Sequence, residues 1–520
     1  MASNLATPGV YVEEKSSFGT SVVPVPTAIP AFIGYTGKAL RGTKSLLNVP
    51  TRISSFGEFV ELFGGAPKTL FSISPLSSGP PQPKADDKAP KPPKGNAATS
   101  EYSLQMDLAT RYLLYDSLRL FFVNGGSDCY IVSVGSYSDK ITAKDLNDVA
   151  VGGGLSALEK YIEPTIVVIP EAVLLNEAEC FATQAAMLMH CGYKMQNRFA
   201  ILDVFNGNME RTFDNKDVVN KFREGVGSNF LAWGAAYYPY INTTIVGSSE
   251  IDYTRVSNPS GLIDILNAEV DENLASDNIS AAKAQGIKNE IAKIASTTES
   301  DLIKSLHATL TVISPKLNSI LADIAEGLNT LPPSAAMAGL YSMVDQTVNV
   351  AKSPANISLG SVISPTVNIN NENQEELNLP LNGKAINAIR SFSGKGTLVW
   401  GARTLEGNSK DFRYISVRRT MTFLEQSIKF AAESFVFSPN NSTTWSSLRS
   451  TVYSFLNNQW ASGILVGSTP DDAFSIEIGL GSTMTSTDIL DGVLKMTIKV
   501  AIVRPAEFIV ITFEQQQQKS

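Results

Sequence analysis

Apolar and polar residues alternate along the chain in patterns that switch between strand and helix periods. Short apolar runs typical of buried strands occur at Ala31–Tyr35, Cys129–Val134, Thr165–Pro170 and Phe199–Val204. Helical spacing occurs at Phe56–Phe63, Tyr102–Val123 and Glu177–Cys191. This alternation of apolar runs with helical segments predicts an α/β layered domain.

The middle of the chain has a different texture, rich in Ala, Ile and Leu at helical spacing from about Gly261 to Leu328. An apolar stripe advances by four and three residues through Leu306, Leu310, Ile313, Leu317, Ile320 and Ile324. We therefore expect a helical insertion over about 255–330, kinked or broken near Pro315 because proline removes a backbone donor. The stripe can serve a coiled-coil partner, but packing within the domain is the favoured interpretation.

The first hundred residues contain two proline-rich regions with different expected roles. Pro8–Glu14 alternates as a short strand, and the prolines that follow predict an extended arm over Ser16–Pro30, because closely spaced prolines cannot sit in a central strand. The arm would carry the first strand away from the next domain. Residues 75–100 have too little apolar content to offset the entropy of ordering, which predicts a solvated loop.

The last third returns to amphipathic elements. Helical patterns occur at Ser416–Ala432 and after Asn441. Strand patterns follow at Phe474–Ile478, Leu494–Val500 and Phe508–Phe513. The final apolar run leads into a polar tail. A strong strand pattern so close to each end of the chain is suited to pairing with the sheet edge of a neighbouring molecule.

Composition narrows the function. The 520 residues carry 42 Lys+Arg and 50 Asp+Glu, a formal net charge of −8, and charged residues make up only 18%. This fraction is below the roughly 25% of average proteins, so uncharged groups must cover part of the surface. The acidic balance without a large basic cluster predicts no nucleic-acid binding. No apolar run has the length of a membrane span, and no signal-peptide pattern opens the chain, so we expect no membrane insertion and a start in the cytoplasm.

Residues that carry catalysis or bind metals are scarce. There are two His and three Cys, and the common nucleotide, zinc-protease and hydrolase motifs do not occur, so no cofactor, metal or catalytic residue is expected. The cysteines are interpreted as small buried hydrophobes, and His190 and His307 lack partners at helical spacing. Asp203 follows a strand where α/β enzymes place a metal-binding carboxylate, which leaves a metal-dependent hydrolase as a distant alternative.

Several segments together resemble the contractile tail sheath family of phages and related injection machines. They are TPGVYVEE, TAIPAFIGY and GGSDCYIVSV in the first part of the chain, and Pro332–Asn356, Leu381–Leu405, Arg413–Asn441 and Thr483–Phe513 in the last part. They occur in the family's order. The Pro-rich loop and the helical insertion have no clear counterpart.

The resemblance implies an α/β and α+β multidomain sheath fold without enzymatic activity. Its expected parts are an N-terminal arm at 1–30, an outer α/β region at 31–360, an inner core at 361–505 and a C-terminal arm at 506–520. The inner core would be built from the N-terminal arm and the C-terminal third, and the α/β region with its helical insertion would face outward. Subunits of this family form stacked hexameric rings around an inner tube and contract from a metastable extended state to drive the tube through a target envelope.

The resemblance also assigns expected contacts. Inter-subunit strand exchange is carried over to Val10, Tyr11, Val12, Phe508, Ile509, Val510, Ile511, Thr512 and Phe513. Candidates for contact with the tube are Arg413, Arg418, Arg419 and Lys429. Further expected partners are baseplate and terminal cap proteins, and they can include paralogous sheath subunits. A sheath of an extracellular contractile injection system, assembled in the bacterial cytoplasm and then released, is favoured, and a bacteriophage tail sheath is the alternative.

Overall fold

The computed structural model describes residues 22–75, 102–147, 152–380 and 382–510. The predicted strand at Pro8–Glu14, most of the Pro-rich loop, and three of the expected exchange residues, Ile511, Thr512 and Phe513, lie outside the described residues. The same holds for Val10, Tyr11 and Val12.

The strands of the described residues are numbered in chain order. They are β1 (Pro30–Thr36), β2 (Leu40–Arg41), β3 (Lys44–Ser45), β4 (Thr51–Ile53), β5 (Phe71–Pro75), β6 (Tyr102–Met106), β7 (Cys129–Ser136), β8 (Ile166–Val168), β9 (Phe199–Asp203), β10 (Gly234–Tyr238), β11 (Ile241–Thr243), β12 (Thr330–Leu331), β13 (Ile357–Ser358), β14 (Val362–Pro365), β15 (Asn387–Phe392), β16 (Gly396–Trp400), β17 (Phe474–Ile478) and β18 (Met496–Val500).

The helices are numbered in the same way. They are α1 (Phe56–Phe63), α2 (Leu114–Val123), α3 (Ala143–Asn147), α4 (Gly154–Ala157), α5 (Glu177–Met189), α6 (Val218–Gly225), α7 (Pro259–Ala275), α8 (Ala281–Ala292), α9 (Ser300–Ile313), α10 (Pro315–Asn329), α11 (Ser334–Thr347), α12 (Asn371–Asn378), α13 (Ile415–Glu433), α14 (Ser442–Ala461), α15 (Pro470–Ala473) and α16 (Ser486–Leu490).

The chain divides into two compact units. The larger unit comprises Pro26–Arg419 and the segment from Arg504 onward, and the smaller comprises Thr420–Val503 with the residues up to Val25. We call them the sheet unit and the C-terminal unit. The division falls inside α13 and not at the boundary of 361 expected from the sequence, since β15 and β16 hydrogen bond into the main sheet of the sheet unit.

The sheet unit is organised by a nine-stranded sheet with the order β13-β16-β15-β10-β9-β8-β1-β7-β4. Strands β15, β10, β9, β8, β1 and β7 run parallel to one another, and antiparallel strands complete both sides. All seven residues of β1 are buried. Parallel strands covered on both faces need such unbroken apolar runs, and the sequence pattern predicted four of these six strands, β1, β7, β8 and β9.

A second apolar core in the sheet unit combines the β5–β6 hairpin with helices α7 to α10. The predicted stripe supplies this core, because Leu306, Leu310, Leu317, Ile320 and Ile324 are all buried there. The expected break lies at Pro315, which is the first residue of α10. Packing within the chain, the favoured interpretation of the stripe, is confirmed.

One predicted helix was wrong over part of its length. The segment Tyr102–Val123 forms an α-helix only in α2, from Leu114, whereas Tyr102–Met106 forms strand β6. Pairing of β6 with β5 across all five residues overrides the local helical spacing. The other interior helices and strands that the sequence predicts occur in the structure, with ends shifted by a few residues, whereas β10, β15 and β16 were not among the predicted elements.

The C-terminal unit contains most of α13, helices α14 to α16 and the antiparallel pair β17–β18. Asn441 caps α14 by accepting a hydrogen bond from the Thr444 amide, as the sequence indicated. Its apolar side chains pack between α13, α14 and β17: Phe423 lies 6.0 Å from Phe455, and Tyr453 lies 5.3 Å from Phe474 between ring centres.

Candidate functional site

The β17–β18 pair is a sheet of only two strands. Its register runs from Phe474 opposite Val500 to Ile478 opposite Met496. Among the described residues, β17 and β18 have no other strand beside them, so each keeps one edge of backbone donors and acceptors free. A two-stranded sheet is marginal alone, and free edges are templates for another strand.

The strand β18 is poorly covered by its own chain. None of its five residues is buried, whereas Phe474 and Ile476 of β17 are. Close in sequence to β18, Leu490 is 86% exposed. Exposed apolar groups beside unpaired strand edges mark a surface suited to contact with another chain.

The C-terminal arm shows the same incompleteness. Phe508, Ile509 and Val510 are three consecutive apolar residues with 68%, 80% and 89% exposure. They form no strand in the described chain. The sequence predicted a strand here, and the structure leaves that pattern without a partner among the described residues.

Directly before this apolar segment, Glu507 is held firmly by the sheet unit. Arg403 donates to both carboxylate oxygens, with Nε–Oε1 at 3.0 Å and Nη2–Oε2 at 2.6 Å. Tyr414 Oη donates to Oε2 at 3.0 Å, and Asn378 Nδ2 donates to Oε1 at 2.7 Å. These hydrogen bonds, with that of Arg403 foremost, outweigh desolvation and lower the pKa of Glu507. We call these four residues the arm clamp.

Sequence reasoning missed the arm clamp. Its members are separated by up to 129 positions, between Asn378 and Glu507, so no local motif joins them. The available signal was Glu507 itself, a charged residue directly before an apolar run, but its partners depend on the fold.

The four predicted tube contacts differ in position. Arg418 and Arg419 are each only 5% exposed. The Arg418 guanidinium stacks on the rings of Trp233 and Phe412 at 4.3 and 4.5 Å, and Arg419 pairs with Asp345 at 2.6 Å. These two cations therefore have partners inside the chain, which removes the solvent exposure that a tube contact needs.

Lys429 and Arg413 keep more solvent exposure than the other two cations. Lys429 is exposed on α13. Arg413 is half-buried and donates to the Ser409 carbonyl at 2.9 Å. Among the four predicted positions, these two retain a side chain that a partner can reach.

Asp203, the candidate metal ligand, has a structural task. Its carboxylate accepts from the Ser334 amide at 2.8 Å and from the Ser334 hydroxyl, so it caps the start of α11. Burial raises its pKa to about 7 despite these bonds. No group of three His, Cys, Asp or Glu able to hold a metal occurs among the described residues.

The cysteines and His190 are buried. Cys129, Cys180 and Cys191 are free, and burial raises the pKa of each thiol. His190 Nε2 lies 2.9 Å from Arg198 Nη1. Desolvation is the main cause that lowers the pKa of His190 to about 3, and the positive charge of Arg198 is the second. No described helix combines the length and apolarity that a membrane span requires.

Part of the chain matches a known protein family and its relatives. Residues 408–516 match the phage tail sheath C-terminal domain family. The tail sheath protein of Enterobacteria phage T4 is 27% identical over 133 residues, which cover 26% of this chain and 20% of the phage protein. The matched part thus spans about a fifth of that relative's length.

Solved structures extend the likeness to nearly the whole chain. A chain of the anti-feeding prophage helical sheath in its contracted state has a TM-score of 0.58 at 25% identity, with 98% of this chain and 99% of that chain covered. The contracted sheath complex of PVC, an extracellular contractile injection system, gives 0.57 at 25% identity, covering 98% of each chain. A chain of the anti-feeding prophage baseplate gives 0.58 at 25% identity, covering 98% and 99%.

These matches confirm the predicted resemblance to contractile tail sheath proteins and the mixed α/β multidomain fold class. The three solved structures described above, each matched over nearly the full length, come from the anti-feeding prophage and from the PVC contractile injection system. A contractile sheath subunit is the function that the comparisons support.

Proposed function

We propose that the chain polymerises as stacked hexameric rings around an inner tube and contracts from an extended metastable state to drive the tube through a target envelope. Its partners in this proposal are the tube protein, baseplate and terminal cap proteins, and paralogous sheath subunits. The role is mechanical and not enzymatic, in keeping with relatives that are structural sheath proteins.

The observation that carries the proposal is the exposed apolar arm beyond a firmly held root. Contact of these three apolar residues, which are 68% to 89% exposed, with water is unfavourable in the free chain. Their burial by a neighbouring chain would stabilise the contact between the two subunits. An extended segment of this kind suits β-augmentation, in which backbone hydrogen bonds supply affinity and alternate side chains supply register.

The free edges of β17 and β18 are the complementary feature. We infer that Phe508–Phe513 of one subunit, and Val10–Val12 of another, add as strands to the β17–β18 sheet of a neighbour. Additional strands would enlarge a marginal two-stranded sheet to a stable size. Each subunit would both donate and accept, which generates an open helical polymer when the rotation does not close.

Tube contact is proposed at Lys429 and Arg413. Both carry a positive charge, which would complement an acidic tube surface and fix register more than affinity.

Contraction requires two packings of the same subunits separated by a barrier, with linkers that persist during rigid-body rotation. Exchanged strands can act as such linkers, because their backbone hydrogen bonds survive rotation of the attached units. The extended state is then kinetically stable, and its energy is stored at assembly without nucleotide hydrolysis.

The test is assembly of the full chain with its tube and baseplate proteins, followed by negative-stain microscopy. Deletion of Phe508–Ser520, which leaves Glu507 in place, is expected to abolish long sheaths while the free chain stays folded. The matched control deletes only the polar tail Gln515–Ser520 and should assemble normally. Long sheaths from the first deletion would contradict strand exchange by this arm.

The particle is proposed to be an extracellular contractile injection system assembled in the bacterial cytoplasm and then released. The full-length likeness to such sheaths supports this choice over a phage tail. Sequencing of the gene neighbourhood tests it: sheath paralogues and an AAA+ ATPase gene without capsid genes are expected. Capsid genes beside this one would indicate a phage tail instead.

A further inference from the structure

The root of the C-terminal arm is enclosed by side chains of the sheet unit. Arg403 is 1% exposed in its side chain, and Glu507 is 20% exposed. A bidentate guanidinium–carboxylate pair in such a shielded site is geometrically specific and costly to break, because either partner left alone would be a poorly solvated charge.

The clamp is supported by helix α12. Asn378, the last residue of α12, donates to Glu507 through its side chain and accepts from Arg403 Nη1 through its carbonyl at 3.0 Å. Arg223 donates to the carbonyls of Glu376 at 3.0 Å and Leu377 at 3.4 Å. Arg403 and Arg223 therefore donate to the last carbonyls of α12. The helix dipole also favours positive charge at this C-terminal end.

The same helix is tied to the interior of the sheet unit. The Glu376 carboxylate pairs with both Arg211 and Arg223, and Arg211 pairs in turn with the fully buried Asp217 at 2.9 Å. The C-terminal end of α12 therefore links two charged groups: Arg403 with Glu507 at the root of the arm, and Arg223, which lies in α6, with Glu376. Exposure changes sharply from Glu507 to the residues after it, so the side-chain contacts of the arm clamp end where the exposed apolar segment begins.

We propose that the arm clamp is the fixed point of the C-terminal arm: the Arg403–Glu507 pair holds the chain at residue 507 so that the following apolar segment is presented for pairing, and it transfers load from that segment into the sheet unit. That the pair restricts the motion of the chain at residue 507 follows from the clamp geometry alone. That it presents the apolar segment to a neighbour and transfers load rests on the proposed function. Glu507 is in this sense a positioning residue, since it acts through the apolar segment that follows it.

A nitroxide spin label at Val510→Cys measures the proposed fixation in the full-length chain. The three native cysteines are buried, so the introduced thiol is the reactive one among the described residues. In the parent chain, the label should show restricted motion. Glu507→Ala is expected to raise the mobile fraction about tenfold, and Glu507→Gln less, because the amide keeps part of the hydrogen bonding. Glu290→Ala, which breaks the exposed pair with Lys293, is the control and should change nothing.

A folding readout and an assembly readout accompany the label. Urea unfolding checks that Glu507→Ala stays folded; if it does not, Tyr414→Phe, which removes one hydroxyl at the clamp, gives the graded version with a smaller rise in mobility. Unchanged mobility in folded Glu507→Ala and Tyr414→Phe chains would overturn the clamp. A mobile arm with normal sheath length would overturn its role in presentation. Normal sheaths after complete removal of Phe508–Ser520 would instead refute the proposed function and leave the mobility result standing.

Discussion

Strands β1 and β18, which lie in different units of the chain, differ sharply in how far their residues are buried. In β1, at the centre of the nine-stranded sheet, all seven residues are buried, whereas in β18 of the C-terminal unit none of five is. Both segments have strand patterns in the sequence. Within the nine-stranded sheet β1 has a strand on each side, whereas β18 has a strand on one side only among the described residues, so its other edge is open to an added strand.

The contrast explains the low charged fraction of 18%. Uncharged residues fill the large core around the main sheet, and others stay exposed along the C-terminal arm. Exposure of consecutive apolar residues is unfavourable for an isolated protein but expected for one buried in a polymer with large permanent contacts.

The largest effect on stability is expected in the main sheet. Phe32 is fully buried in β1 and packs against Phe121, with ring centres 5.1 Å apart. Phe32→Ala should lower the free energy of unfolding by about 3–5 kcal/mol, because it removes apolar contacts and leaves a cavity. Urea denaturation of the free chain measures this. A loss below about 1 kcal/mol would contradict the view of a closely packed complete core.

The next effect is a pH dependence from Glu171, a fully buried carboxyl group beside β1. Its Oε1 accepts from the Leu114 amide at 2.9 Å, and a Cβ added to Gly34 would lie 2.4 Å from Oε2, so the glycine makes room for this group. Burial raises the pKa of Glu171 to about 7. The folded state therefore binds a proton more tightly than the unfolded state does.

Stability from this proton is present below the ordinary glutamate pKa and is lost as pH rises to about 7. In the parent chain, the free energy of unfolding should fall by about 3 kcal/mol between pH 4.5 and 7.5, at about 1.4 kcal/mol per pH unit of pKa shift. Glu171→Gln, which stays neutral, should not show this fall. Urea unfolding at several pH values checks the sign and size. An unchanged pH profile in Glu171→Gln would show that this carboxyl group does not titrate as described.

A smaller effect is expected in the C-terminal unit from Asn441, which caps α14. Asn441→Ala should destabilise by about 1 kcal/mol, because the first turn loses an acceptor for the Thr444 amide. Thermal unfolding followed at the tryptophans would record the change. Asn441→Ser, which restores an equally good cap, is the control and should unfold like the parent chain. Equal losses from both substitutions would show that the cap is not the source of the effect.

The smallest effect on the free chain is expected from Ile509→Ala. Since Ile509 is 80% exposed, its truncation should change the free energy of unfolding by less than about 0.5 kcal/mol. The same substitution should shorten sheaths assembled with the tube, because the side chain would be buried only in the polymer. Clear destabilisation of the free chain would place the arm on its own subunit and remove the contrast with β1.

Local pattern identified the elements whose environment is simple. Strands β1 and β7 follow from runs of apolar residues, and helix α1 follows from its amphipathic face. The break at Pro315 follows from the backbone donor that proline lacks. The strand β6 was missed because its partner β5, and not its own spacing, decides its conformation.

The candidate site was predictable only in part. The arm's apolar run was evident from the sequence, whereas the arm clamp joins Asn378, Arg403, Tyr414 and Glu507 through the fold. The burial of Arg418 and Arg419 was also missed, since a helical pattern cannot tell an outward charge from one stacked on Trp233 or paired with Asp345.

Electron cryo-microscopy of sheaths assembled from the full chain tests the central claim most directly. Density for Phe508–Phe513 is expected to leave the clamp at Glu507 and continue as an added strand on the β17–β18 sheet of a neighbouring subunit. Density that instead turns back and pairs within its own chain would contradict strand exchange.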